Sequence, residues 1–81
     1  MNTDDIEQLV LSAIQQVAPE IEMDDIEVDE DIRKTCDLDS MDFINYLIAI
    51  KNATGVVIAE KDYGNANTFK KMVEFLSLKL A

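Results

Sequence analysis

Asp37-Leu38-Asp39-Ser40-Met41-Asp42-Phe43-Ile44-Asn45-Tyr46-Leu47-Ile48-Ala49-Ile50-Lys51-Asn52-Ala53-Thr54-Gly55 is the stretch whose reading decides the fold. Asp39 and Ser40 are both residue types that cap a helix start, and Gly55 suits the left-handed position that ends one. Nothing between them breaks a helix, so one is expected from about Ser40 to Thr54. At about 100° per residue, Phe43, Tyr46, Leu47 and Ile50 share one face, which is core. Met41, Ile44 and Ile48 form a separate apolar shoulder, while Asp42, Asn45 and Asn52 lie on the polar side. A helix with more apolar surface than one core face needs is covered by another segment or docks against something. Both remain open from the pattern alone.

Working outward, residues 4 to 18 read as an amphipathic helix with Ile6, Leu9, Val10, Ala13, Ile14 and Val17 at three- and four-residue spacing. Thr3 is placed to cap it, and Pro19 ends it. Residues 19 to 38 form a long acidic connection with Ile21, Met23, Ile26, Val28 and Ile32 spread along it, expected to pack along the helices. On the other side, Val56-Val57-Ile58 reads as extended chain buried in a helix junction. Residues 60 to 65 suggest a short helical turn. Asn67 or Thr68 then caps a last helix to about Leu80, with Phe69, Met72, Val73, Leu76 and Leu80 as its stripe. The fold class is therefore all-α: one domain over 1–81, a small bundle of three main helices plus a short fourth, with a long first loop.

The chain has 81 residues, 48% of them apolar, which is enough to fold around one simple core. Asp and Glu total 17 against 7 Lys and Arg, a net charge of −10. That sign disfavours nucleic acid and anionic lipid and favours partners with basic patches. The single cysteine, Cys36, permits no internal disulfide, and its acidic surroundings disfavour the thiolate. No apolar run is long enough to span a membrane, and the acidic start lacks the basic end of a signal peptide. A cytoplasmic monomer is expected.

With no histidine, neither a Ser-His-Asp nor a Cys-His arrangement can form, and zinc has no Cys/His set. Asp25, Glu27 and Asp29 alternate as in a calcium loop, but Glu30 stands where such a loop needs glycine, so a solvated acidic face is the better reading. No metal site is expected, and no catalytic residue is assigned.

A serine at the start of a helix is exposed and lies beside unpaired backbone N–H groups, which would stabilise a phosphodiester formed on it. It could equally be only a cap. The run Asp37-Leu38-Asp39-Ser40-Met41-Asp42-Phe43 resembles the Asp-Ser-Leu signature of acyl and peptidyl carrier proteins. The helix order, the acidity and the segment Gly55-Val56-Val57-Ile58-Ala59 extend that resemblance over nearly the whole chain. It implies that Ser40, flanked by Asp39 and Met41, receives 4′-phosphopantetheine from coenzyme A through a phosphopantetheinyl transferase. It further implies carriage of acyl groups as thioesters, without catalysis, in a specialised fatty-acid, lipid or polyketide-type pathway. The partners implied are acyl-transferring or acyl-ligating enzymes with basic docking patches, meeting Met41, Asp42, Ile44, Asn45 and Ile48. In the family the bundle can shelter an acyl chain, for which Phe43, Leu47, Ile50, Ile58, Tyr63, Phe69 and Met72 would be the lining. An aminoacyl or peptidyl carrier, or an unmodified interaction module with this fold, are the alternatives. Five positions depart from the family. Glutamates frequent along this helix are replaced by Asn45, Lys51 and Asn52, a glycine three residues before the serine is Asp37, and a proline after the second helix is Ala59.

Overall fold

Four α-helices and two 3-10 turns follow one another in the computed structural model, which describes residues 2–80. They are α1 Thr3–Val17, a 3-10 turn Met23–Asp25, α2 Ile32–Thr35, α3 Ser40–Thr54, a second 3-10 turn Glu60–Asn65 and α4 Phe69–Lys79. The all-α reading is correct, and the described residues contain no strand. The one β-type pairing among them is an isolated antiparallel bridge between Asp31 and Thr68.

The helices begin and end where local chemistry dictates. α1 starts one residue earlier than expected, and its cap is Asn2, not Thr3: the Asn2 side chain accepts the Asp5 N–H at 2.8 Å. Both residue types cap well, so composition alone could not separate them. α3 ends as expected, with Gly55 at φ 78° and its N–H donating to the Lys51 carbonyl at 2.7 Å. Glycine adopts that left-handed backbone without the Cβ clash other residues suffer.

α1 packs against both α3 and α4. Ile6, Val10, Ala13 and Ile14 of α1 are buried against Phe43, Tyr46, Leu47, Ala49 and Ile50 of α3 and Phe69, Met72, Val73 and Leu76 of α4. Each large aliphatic side chain buried in this way contributes about 1.5–3 kcal/mol. Leu80 packs only at the margin of the core.

The long connection is tied down at its far end. Ile26 and Ile32 are buried, whereas Met23 and Val28 remain partly exposed. The Ile32 N–H donates to the Asn67 carbonyl at 2.7 Å, and the Lys70 N–H to the Val28 carbonyl at 3.1 Å. The connection thus closes over the start of α4. One sequence expectation fails: Val56-Val57-Ile58 is not buried as a unit. Ile58 is in the core, but Val57 is 66% exposed. In extended chain neighbouring side chains point to opposite sides, so Ile58 inward puts Val57 outward.

Candidate functional site: the open first turn of α3

The approach to Ser40 is set by the way α2 ends. Asp37 has φ 55°, and the Leu38 N–H reaches back to the Arg33 carbonyl at 2.8 Å. This is a Schellman closure, with a left-handed residue where glycine is preferred. Aspartate tolerates that backbone better than most residues do. Leu38 is buried beside it, which fixes the direction in which Asp39 and Ser40 emerge.

Two residues were equal contenders for the helix cap, and the structure separates them. The Asp39 carboxylate accepts the Asp42 N–H at 2.8 Å, and the Asp42 carboxylate accepts the Asp39 N–H at 3.4 Å. This reciprocal capping box leaves Ser40 as the first helical residue, exposed, with no capping duty. The Phe43 N–H donates to the Asp39 carbonyl at 3.0 Å. The backbone donors left at the mouth of the helix are therefore those of Ser40 and Met41.

The apolar shoulder of α3 is not covered by the long connection. Met41 is 67% exposed, and Ile44 and Ile48 are also open to solvent. Asn45 is exposed beside them, and Asp42 is half-buried with its carboxylate engaged in the capping box. Ile44 and Ile48 border a shallow groove of about 150 Å³ that is completed by Leu47, Lys51, Val57, Ile58 and Tyr63. Val57 was missed by sequence reasoning, because an apolar run gives no sign of which member faces out. Of the residues expected to line an acyl chain, Leu47, Ile58 and Tyr63 border this groove. Phe43, Ile50, Phe69 and Met72 are closed within the core.

Beneath the first turn lies an aromatic cluster. The Phe43 ring meets Tyr63 edge-on at 5.6 Å and Tyr46 at 6.0 Å. Tyr46 is fully buried, and among the described residues its hydroxyl finds no hydrogen-bond partner. Burial pushes its pKa up strongly, so the phenol stays neutral. Arg33 sits on the same cluster, with its guanidinium carbon 4.7 Å from the centre of the Phe43 ring. Nothing in the local sequence signals that contact. Cys36 is buried, and desolvation first, then Asp25 and Glu20, push its thiol pKa up, away from the reactive thiolate. The described residues contain no cluster of three or more His, Cys, Asp or Glu arranged to hold a metal, and no helix among them is long and apolar enough to cross a membrane.

A search of the curated proteins gave no match. A family model described as "Phosphopantetheine attachment site" matches residues 8–76, which takes in all of α2 and α3 and most of α1 and α4. The match covers well over half of the chain and spans the exposed serine, the capping box and the bundle that holds them: the chain belongs to the phosphopantetheine attachment-site family of carrier proteins, whose cofactor is covalent 4′-phosphopantetheine.

Proposed function

We propose that this protein is an acyl carrier whose arm is attached to Ser40. The observation that carries the reading is the division of labour at the start of α3. Asp39 does the capping, and Ser40 is left with an exposed hydroxyl at the first helical position. A serine needed as a cap would have its oxygen directed at the backbone, where modification would cost the helix about 1 kcal/mol.

The residues present fit the group. A phosphodiester on Ser40 would lie at the positive end of the α3 dipole, beside the Ser40 and Met41 N–H groups. Asp39 and Asp42 are acids in the same turn, but their carboxylates are already bonded to backbone N–H groups. The arm supplies a terminal thiol that holds an acyl group as a thioester. The protein's own part is to present the arm from a rigid helix end and to be recognised. Family members are generally carriers rather than catalysts, and this chain is proposed to act in the same way. Met41, Asp42, Ile44, Asn45 and Ile48, joined by Val57, form the surface that the transferase and the acyl-handling enzymes would meet. That surface is more apolar than the net charge of −10 implies, because the acids concentrate in residues 20–31. That departure favours a specialised fatty-acid, lipid or polyketide-type pathway with its own partner set.

The test is the intact mass before and after incubation with coenzyme A, magnesium and a broad-specificity phosphopantetheinyl transferase. One phosphopantetheine is expected on the unaltered chain and none on Ser40→Ala. No gain on the folded, unaltered chain would sink the carrier reading. Loading by a fatty-acyl ligase is expected; loading by an amino-acid-adenylating enzyme instead would refute the acyl assignment.

A further inference from the structure

Ser40 stands in a run of acids. Asp37, Asp39 and Asp42 flank it in sequence, and an arm attached there adds one more negative charge, that of the phosphodiester. Arg33 is a cation that the structure seats on Phe43, next to this turn. Its guanidinium lies over the ring of Phe43. Phe43 is three residues after Ser40, so their Cβ atoms are about 5–6 Å apart on neighbouring rows of the helix. Helical aromatic side chains lean back toward the helix start, which carries the Phe43 ring, and whatever lies on it, toward the first turn.

Arg33 is held from behind. Its Nε donates to Asp31 Oδ1 at 3.0 Å and its Nη2 to Asp31 Oδ2 at 2.7 Å. Asp31 in turn accepts the Arg33 N–H at 2.9 Å and a contact from the Asn67 amide at 3.5 Å, and it bridges to Thr68. The fork to Asp31 occupies one edge of the guanidinium. A guanidinium has five N–H donors, so the Nη1 edge still has hydrogens to give. Among the described residues that edge makes no hydrogen bond, and the Arg33 side chain is 45% exposed. The backbone of Arg33 belongs to the same unit, since its carbonyl closes the turn that leads into Asp39.

We infer that Arg33, braced by Asp31 and seated on Phe43, is the positioning residue that receives the phosphodiester of an arm on Ser40. This rests on the reading of Ser40 as the attachment site. Arg33 offsets the charge that attachment adds to an acidic turn, and it restrains the first bonds of the arm while the rest swings freely. A planar fork suits phosphate oxygens, so lysine would be a poorer substitute.

The experiment compares apo and holo protein, with Ser40 modification verified by mass, in the unaltered chain, Arg33→Gln and Arg33→Lys. Attaching the arm to Arg33→Gln is expected to lower its melting temperature by about 4 °C more than attachment lowers that of the unaltered chain. Arg33→Lys should fall between. The excess should shrink in 1 M salt, where the screening length is about 3 Å. In the unaltered chain, the Arg33 Nε–Hε resonance should shift when the arm is attached, and the phosphorus resonance of the arm should differ between the unaltered chain and Arg33→Gln. If Arg33→Gln fails to fold, the Nε–Hε resonance of the unaltered chain decides. An apo-to-holo change equal in all three proteins, or an Nε–Hε resonance that does not move, overturns the role of Arg33 while leaving Ser40 as the attachment site. A chain that takes no arm on Ser40 removes both readings.

Discussion

The starts of α3 and α4 are written in nearly the same local grammar and do different things. Each has a capping side chain that accepts the N–H three residues on: Asp39 from Asp42 at 2.8 Å, Thr68 from Lys71 at 3.0 Å. At α4 the rest of the turn is closed as well. Thr68 is 7% exposed, the Lys70 N–H is taken by the Val28 carbonyl, and the Asn67 carbonyl takes the Ile32 N–H. At α3 the turn stays open among the described residues, with Asp39, Ser40 and Met41 exposed, and a spare hydroxyl stands at its first position. A cap alone therefore marks a helix boundary. The proposed site differs from the other boundary in that the long connection seals the α4 start and leaves the α3 start open.

The comparison is broken most severely by Phe43→Ala. It empties the core beneath the α3 start and removes the seat of Arg33, at a cost of about 3–5 kcal/mol in chemical denaturation. Capping changes sharpen it. Thr68→Ala should cost about 1–2 kcal/mol and leave the rate of arm attachment unchanged, because its hydroxyl serves only the fold. Asp39→Ala should cost about 1 kcal/mol and also slow attachment, because it loosens the turn that presents Ser40. Equal attachment rates for these two variants would contradict the distinction.

Smaller effects probe the backbone around α3. Asp37→Gly should stabilise the fold by about 1 kcal/mol, since Asp37 holds a left-handed φ of 55° that glycine adopts freely. Ala59 has φ −72°, which proline matches, so Ala59→Pro should add about 0.4–1 kcal/mol without affecting attachment. Thermal melts of both variants test this, and a loss of stability at position 59 would show that the extended segment needs its freedom.

The smallest effect is on pH dependence. The hydrogen bond from the Arg33 side chain, opposed by burial and reinforced by the Arg33 backbone N–H and charge, holds the Asp31 pKa below its ordinary value. A depressed carboxylate pKa supplies stability that is complete above the unfolded value of about 3.9 and is lost as pH falls through the lower folded value. The stability difference between the unaltered chain and Asp31→Asn should therefore close in that acidic window and stay constant at neutral pH.

The sequence made α3 legible because its signals are local: a cap pair, an uninterrupted apolar face and a glycine at the end. The same holds for the core face of α4. The cap of α1 went to Asn2 instead of Thr3 because two good caps stand side by side. The orientation of Val57 and the bounds of α2 were not readable, since both are set by packing. Least readable was the pairing of the connection with α4, where Asp31 meets Thr68 across 36 intervening residues. The Arg33 contact with Phe43 depends on that same closure and so left no trace in the pattern. For the site itself, the Asp39-Ser40 pair was visible, but which residue caps was decided only by hydrogen bonds.

The measurement that tests the central claim most directly is tandem mass spectrometry of the unaltered protein after arm attachment. The chain offers seven serine and threonine hydroxyls, on Ser12, Ser40, Ser77, Thr3, Thr35, Thr54 and Thr68, besides the phenols of Tyr46 and Tyr63. The account predicts phosphopantetheine on the peptide containing Ser40 and on no other. An arm on any other hydroxyl, or a folded chain that takes none, would contradict it.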